Sequence, residues 1–463
     1  MFKQTVLSDV DSYKCGMYAQ YPPETTNVYS YIESRGGRYP ETVVFGLQTF
    51  IKEYLLEPFN RHDINEIGAE WDAHGEPFNW VGWRELLGAY GGHLPLLIKS
   101  VPEGTVLPVH QVMTTIENTD ERFPWLTSWL ETSLLRAVWY PTTVATNSRE
   151  IKKLIKSYMV STGGDLANLN FKLHDFGARG VSSRESARLG GMGHLVSFMG
   201  TDTFEATKAV KHYYGMANSG FSVPAMEHST VTSWGRENEL HAYRNMLRQF
   251  GKPGKIVSMV GDSYDIYHMV SQFIGVDLKQ EIIDSGAVVV VRPDSGVPED
   301  VVLEVAQRLD AAFGHTLTLT GHKLLNHVRV LQGDGINYDS IDRILLNLKN
   351  NGFCADNMGT FGAGGVMLQM PMRDDQKFAM KCSSAVVDGE QRDVYKDPST
   401  DHGKKSKRGR FSTIYDGSSF QTVPELTGIN PSAFSDLLRP VFRNGDLLVD
   451  EKFEAIRARA ELV

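Results

Sequence analysis

Seven short clusters of Gly, Asp, Arg and His carry the chemistry this sequence offers. They are HDFGARG (174–180), MGTDT (199–203), MEHST (226–230), GDSYD (261–265), RPDSG (292–296), QGDG (332–335) and FGAGG (361–365). Glycine-rich turns such as HDFGARG, QGDG and GAGG let backbone N–H groups approach a phosphate, and a helix N-terminus behind them adds a favourable dipole. Arg179 and Arg292 bring planar forks that match phosphate oxygens. Asp202 and Asp294 supply carboxylates able to bind Mg2+ or to accept hydrogen bonds from a substrate amide. Paired glycosidase acids are the competing reading of these two residues. His228 is flanked by Glu227, Ser229 and Thr230, which could orient it or a bound phosphate. No cluster matches a P-loop or GxGxxG, so ATP or NAD binding by those routes has no support. Each cluster alone is a weak signal, because Gly and Asp also punctuate ordinary turns.

One dense basic run, KKSKRGR (404–410), contains Lys404, Lys405, Lys407, Arg408 and Arg410. It reads either as a solvated loop or as a cationic loop for a polyanionic small substrate. The formal net charge of −9 favours the second, and argues against a general nucleic-acid or membrane-surface binder.

Such clusters need a frame, and the intervening residues supply one. Apolar runs at 171–173, 195–199, 256–260, 287–291 and 328–331 read as buried strands. Helical spacing follows in Leu240, Tyr243, Leu247 and Phe250; in Ile266, Met269, Val270 and Phe273; in Val302, Val305 and Leu309; and in Ile341, Ile344, Leu345 and Leu348. Ser182 with Glu185 reads as a capping box opening one more helix. Alternating apolar strands and helices over about 170–382 mean a parallel sheet covered by helices. In a barrel of this kind the loops at the carboxyl ends of the strands carry the chemistry, and the seven clusters fall there.

The flanks differ. Residues 94–117 read as a hairpin around Pro102–Thr105, and 384–424 as short alternating strands with an Asp416-Gly417 turn. Residues 125–139 read as an apolar helix stopped by Pro141. The expected architecture is α/β: a barrel domain at 151–383, with 1–150 and 384–463 combining into a mostly antiparallel β domain. The 463 residues are 41% hydrophobic and 22% charged, as in an ordinary globular protein. Asp9 and Asp11 precede any apolar run, which excludes a signal peptide, and no apolar stretch is long enough to span a bilayer. Three scattered cysteines form neither a disulfide framework nor a zinc site. A cytoplasmic enzyme is the expectation.

Taken in order, DSYK (11–14), YPPET (21–25), HDFGARGVSS, GTDT, SVPAMEHST, DSYDIY, RPDSG, QGDG, FGAGG and KDP…KKSKRGR resemble the nicotinamide phosphoribosyltransferase family. The match extends from about residue 9 to 457. The resemblance implies a type II phosphoribosyltransferase: an irregular α/β barrel with an antiparallel β domain, and an active site shared across a homodimer. It implies a pentosyltransferase joining nicotinamide to 5-phosphoribosyl 1-pyrophosphate in NAD salvage, with Mg2+ on the pyrophosphate.

Carried over residue by residue, the resemblance implies that Phe176 stacks on the pyridine and Tyr13 of the other subunit covers its opposite face. Asp202 would accept the carboxamide N–H. Arg292 and Arg179 would hold base-side or phosphate groups, with Asp294 near the ribose hydroxyls. Gly333, Asp334, Gly364 and Gly365 would cradle the 5-phosphate. Asp11 would join Tyr13 in the substrate site, while Arg35, Arg373, Lys396 and Lys404 would grip phosphates. His228 would be phosphorylated by ATP and couple its hydrolysis to turnover, making His228, Asp294 and Arg292 the catalytic set. The chain departs from animal members at SRGGRYPE (34–41), which replaces a longer insertion, and at Ala178, where they have tyrosine. A nicotinate phosphoribosyltransferase and a non-catalytic binding protein on the same scaffold are the alternatives.

Overall fold

The computed structural model describes residues 5–400, 405–426 and 435–462. The chain divides into two compact units, one of residues 1–146, 212–216 and 372–461, the other of 147–211, 217–371 and 462–463.

The first unit is built on a seven-stranded antiparallel sheet. Its order is Glu390–Asp393, Phe378–Val387, Thr25–Ser34, Val112–Asn118, Leu96–Ser100, Arg439–Arg443 and Asp446–Leu447, so both ends of the chain interleave. The expected hairpin is present as the antiparallel pair Leu96–Ser100 with Val112–Asn118. Between them Val106–Pro108 pairs with Glu41–Val43 instead. The Asp416-Gly417 turn joins Phe411–Tyr415 to Phe420–Pro424, with Gly417 at φ +94°. The expected boundary after residue 383 would cut Phe378–Val387, which is zipped along most of its length to Thr25–Ser34; the division falls at 371/372. On the N-terminal side it falls at 146/147 rather than after 150.

Aromatic packing makes the core of this unit. The fully buried Trp83 meets Phe59, Trp125 and Trp129 edge-on at centroid distances of 5.3, 4.7 and 5.1 Å. Such T-shaped contacts add to the gain from burial alone. The helix expected to stop at Pro141 does not stop: a short helix, Leu126–Trp129, precedes a 32-residue helix, Glu131–Thr162, with Pro141 inside it. Gly46 lies against the proline ring and the Ala137 carbonyl left without its i+4 donor; a Cβ at 46 would lie 2.3 Å from Pro141 Cγ.

The second unit is the expected parallel barrel. Its strands run in the order Gly200–Thr201, Leu173–Asp175, Met358–Ala363, Val328–Gln332, Val288–Arg292 and Ile256–Val260, all parallel. The two outer strands are joined by the segment 221–226. Phe221 bridges to Gly200 and Ala225 to Ser258, with Thr201 N–H donating to Phe221 O at 3.0 Å and Met226 N–H to Ser258 O at 3.0 Å. Val289, Val290 and Val291 are buried, as central parallel strands covered on both faces must be.

Two strand readings shift. The run 171–173 ends a 3-10 helix, and its strand begins at Leu173. The run 195–199 is the end of helix Arg184–Leu195 and the turn after it, with the strand following at Gly200–Thr201. Short apolar runs do not separate a buried helix end from a strand. That helix is capped by Ser183, which accepts the Ser186 N–H at 3.0 Å, one residue later than the expected box. The covering helices bury the expected faces: Val302, Val305 and Leu309 on Pro298–Phe313, and Ile341, Ile344, Leu345 and Leu348 on Tyr338–Asn350. In Glu239–Phe250, Tyr243 and Leu247 are buried while Phe250 is exposed. No described helix is long and apolar enough to cross a membrane.

Candidate active site

Strand direction delivers the barrel clusters to one end. Leu173–Asp175, Gly200–Thr201, Ile256–Val260, Val288–Arg292, Val328–Gln332 and Met358–Ala363 are mutually parallel, and each is followed by one of them. Buried Asp175 holds the first turn: its Oδ1 accepts the Gly177 N–H at 2.7 Å and its Oδ2 the Thr201 hydroxyl at 3.3 Å. Phe176 N–H donates to Ala363 O at 2.8 Å, which fixes the main chain under the ring. The ring lies over the neighbouring strand, where a Cβ at Gly362 would come within 2.0 Å of Phe176 Cε2. A Cβ at Gly333 would be 3.5 Å from the same carbon and 3.4 Å from Asp294 Oδ1. Phe176, Gly333, Gly362 and Asp294 therefore share one neighbourhood.

Asp202 is half-exposed and doubly anchored. His174 Nε2 lies 2.8 Å and Ser222 Oγ 2.5 Å from its Oδ1. Burial pushes the carboxyl up, but the hydrogen bonds from His174 and Ser222 and the nearby Arg292 charge prevail, so it lies below the ordinary carboxylate range. Arg292 is half-buried, 3.9 Å from Asp294 Oδ2, and its Nε has no hydrogen-bond partner among the described residues. The same holds for Gln332 Oε1 at the end of the adjacent strand. Buried orphan donors and acceptors at strand ends suit a site built for a polar ligand.

His228 Nε2 sits 2.9 Å from Asp262 Oδ1, and Ser295 donates to Asp262 Oδ2 at 2.7 Å. Burial raises Asp262, but the Ser295 and His228 bonds outweigh it and lower the carboxyl. Two strand ends and the end of the segment 221–226 thus meet in one polar chain. Gly365 packs against the Arg179 turn, where a Cβ on Gly180 would lie 3.1 Å from Gly365 Cα, while Gly364 beside it faces open space. Arg179 and Asp334 are exposed at the rim.

The remaining predicted residues belong to the first unit. Tyr13 is 61% exposed on a turn pinned at both sides. Asp11 Oδ2 accepts the Thr132 hydroxyl at 2.6 Å, and buried Lys14 pairs with Glu131 at 2.6 Å. Arg35 pairs with Glu33 at 3.2 Å, and its Nη2 has no partner among the described residues. Arg373 is exposed beside Asp374. Lys404 lies outside the described residues. Lys381, unnoticed in the sequence, is half-buried near Arg35, Lys396 and Lys14. Burial and those cations lower its pKa, against the opposing pull of Glu131.

The basic run does not stand as free charge. Lys405 pairs with Asp397, Lys407 with Glu33, and Arg410 with both Glu117 and Glu425. Arg410 is held by two carboxylates and is structural. Sequence reasoning also missed His174, Ser222, Asp262 and Ser295. All lie in or beside quoted motifs, but their pairings join residues 20 to 34 positions apart. Among the described residues no group of three or more His, Cys, Asp or Glu is gathered as a metal site.

Residues 171–446 match the nicotinate phosphoribosyltransferase (NAPRTase) family, and residues 5–98 the nicotinamide phosphoribosyltransferase N-terminal domain. The chain is 50% identical to the nicotinamide phosphoribosyltransferase of Xanthomonas campestris pv. campestris, over 99% of each chain. It is 34% identical to that of Acinetobacter baylyi, over 99% of this chain and 97% of the relative. In fold it is similar to the nicotinate-nucleotide pyrophosphorylase of Pyrococcus furiosus, with a TM-score of 0.62 at 15% identity over 99% of this chain and 96% of that one. The chain belongs to the nicotinate phosphoribosyltransferase (NAPRTase) family, and its full-length relatives are nicotinamide phosphoribosyltransferases.

Proposed function

We infer that this chain transfers the phosphoribosyl group of 5-phosphoribosyl 1-pyrophosphate to nicotinamide, releasing nicotinamide mononucleotide and pyrophosphate. The observation that carries the reading is Asp202: a carboxylate held in its charged form at the mouth of the barrel, on the strand next to the one leading into Phe176. An acceptor-only anion attracts a carboxamide N–H and repels the carboxylate of nicotinate. Phe176 offers a face for the pyridine. The C1–O bond to pyrophosphate breaks as the ring nitrogen bonds to C1, so charge grows on the leaving group. Arg292 and Arg179, with the backbone of Gly333, Gly364 and Gly365, are proposed to bind the phosphates, and Asp294 the ribose hydroxyls.

Mg2+ is proposed to arrive with the pyrophosphate. Its binding by substrate oxygens with one or two carboxylates suits a site whose nearest acid, Asp294, stands beside the arginine. When bound, it would neutralise charge on the departing pyrophosphate. A second copy of the chain is proposed to supply Tyr13 and some of the phosphate-gripping residues Arg35, Arg373, Lys396 and Lys404, with Asp11 beside Tyr13 in the substrate site. ATP is proposed to phosphorylate His228. Asp262, ionised and acceptor-only, accepts a hydrogen bond from Nε2–H and so leaves the Nδ1 lone pair free to attack the γ-phosphorus as the bond to ADP breaks.

Pyrophosphate release tests the reading. The enzyme should turn over with nicotinamide, the sugar donor and Mg2+, and prefer nicotinamide to nicotinate. Asp202→Asn should lower nicotinamide kcat/KM about tenfold or more and narrow that preference. A native preference for nicotinate would overturn the assignment.

A further inference from the structure

Asp202 receives both of its side-chain hydrogen bonds on one oxygen. His174 Nε2 and Ser222 Oγ approach Oδ1, and among the described residues no hydrogen bond reaches Oδ2. An ionised carboxylate only accepts, so His174 presents Nε2–H. The Asp202 main chain is also tied, with its N–H donating to Asp175 O at 2.9 Å. A fixed backbone and one saturated oxygen set the carboxylate plane, and leave the second oxygen available to a ligand.

His174 is itself held in place. Its ring packs on Phe176 at a centroid distance of 5.0 Å and an interplanar angle of 52°. On its other side a Cβ at position 200 would come within 2.9 Å of Nδ1, so the glycine there makes room for the imidazole. One ring therefore touches both groups assigned to the base: the aromatic face and the carboxylate.

We propose that His174 and Ser222 are specificity-determining positioning residues: they occupy Asp202 Oδ1 so that Oδ2 alone meets the carboxamide N–H. Neither touches the reacting C1 or the pyridine nitrogen. This rests on the reading of Asp202 as the carboxamide acceptor. It adds that selectivity over nicotinate depends on where the carboxylate points as well as on its charge.

The test compares His174→Leu, His174→Gln and Ser222→Ala in the full-length enzyme, with kcat and KM for nicotinamide and for nicotinate and a thermal melt of each. A charge-assisted hydrogen bond of this kind corresponds to about a tenfold or larger effect. His174→Leu is expected to raise the nicotinamide KM about tenfold or more, with a smaller change in kcat, and to narrow the selectivity ratio. His174→Gln, which keeps an N–H donor at that reach, should recover most of the ratio. Ser222→Ala, at an exposed position, should shift the ratio in the same direction with an unchanged melt. Equal losses for both substrates, no recovery with glutamine, or an unchanged ratio in Ser222→Ala would overturn the proposal. Asp202→Asn separates the two levels: if it leaves selectivity unchanged, the reading of Asp202 falls; if it narrows selectivity while the His174 and Ser222 variants do not, only the positioning role falls.

Discussion

Replacing Gly362 with alanine should damage the base site without touching any group that hydrogen-bonds or carries charge. The added Cβ would stand 2.0 Å from Phe176 Cε2, 2.4 Å from Cδ2 and 3.0 Å from Cζ. Carbon atoms rest at about 3.5–4.0 Å, so the ring has to retreat by about 1.5 Å. It cannot take the main chain with it, because Phe176 N–H is bonded to Ala363 O. The ring must rotate, away from the strand and toward His174 or the open site. Gly362 is not among the positive-φ glycines, so alanine brings no backbone strain and the effect is steric. Overpacking of this size costs about 1–3 kcal/mol, and a stacking face moved by more than an ångström no longer fits a flat base. The variant should therefore show a nicotinamide KM raised about tenfold or more, a KM for the sugar donor changed far less, and a melting temperature lower by a few degrees. Steady-state pyrophosphate release with each substrate varied in turn, together with a thermal melt, measures all three. A variant with wild-type nicotinamide KM would refute the placement of the base over Phe176.

Three further outcomes follow from particular contacts. Arg410→Ala leaves mostly buried Glu117 without its cation and Glu425 with Lys99 alone, and should cost about 3 kcal/mol in a denaturant melt while leaving the KM for the sugar donor unchanged. Glu103 is buried with its carboxyl pushed up by burial, so the folded state holds its proton longer than the unfolded chain does. Stability should then fall as pH rises from the ordinary carboxylate range through the folded pKa, and Glu103→Gln should flatten that slope in melts across pH. Asp262→Ala removes the acceptor that sets the His228 tautomer; it should sharply reduce the stimulation by ATP while basal turnover persists, as should His228→Ala.

The barrel was legible mainly from Ile256–Val260, Val288–Arg292 and Val328–Gln332, short apolar runs each followed by polar residues at the end where parallel strands share direction. The segment 221–226 was not, since it is held by two isolated bridges and carries no buried apolar run. The helix through Pro141 was misread because the glycine that accommodates the ring lies 95 positions away, at Gly46. The pairing of the basic run was hidden for a similar reason: Glu33 and Glu117, which neutralise Lys407 and Arg410, lie 374 and 293 positions upstream. Candidate residues could be picked out by type and order, whereas the second layer, His174, Ser222 and Asp262, required distances.

The span from Phe221 to Met226 gives the barrel a seam. Elsewhere the wall is stitched by paired strands; here it is basted at two points, with Ser222 just inside one stitch and His228 two residues beyond the segment. One thread therefore carries both the hydroxyl that trims the Asp202 carboxylate and the imidazole that meets Asp262, six positions apart.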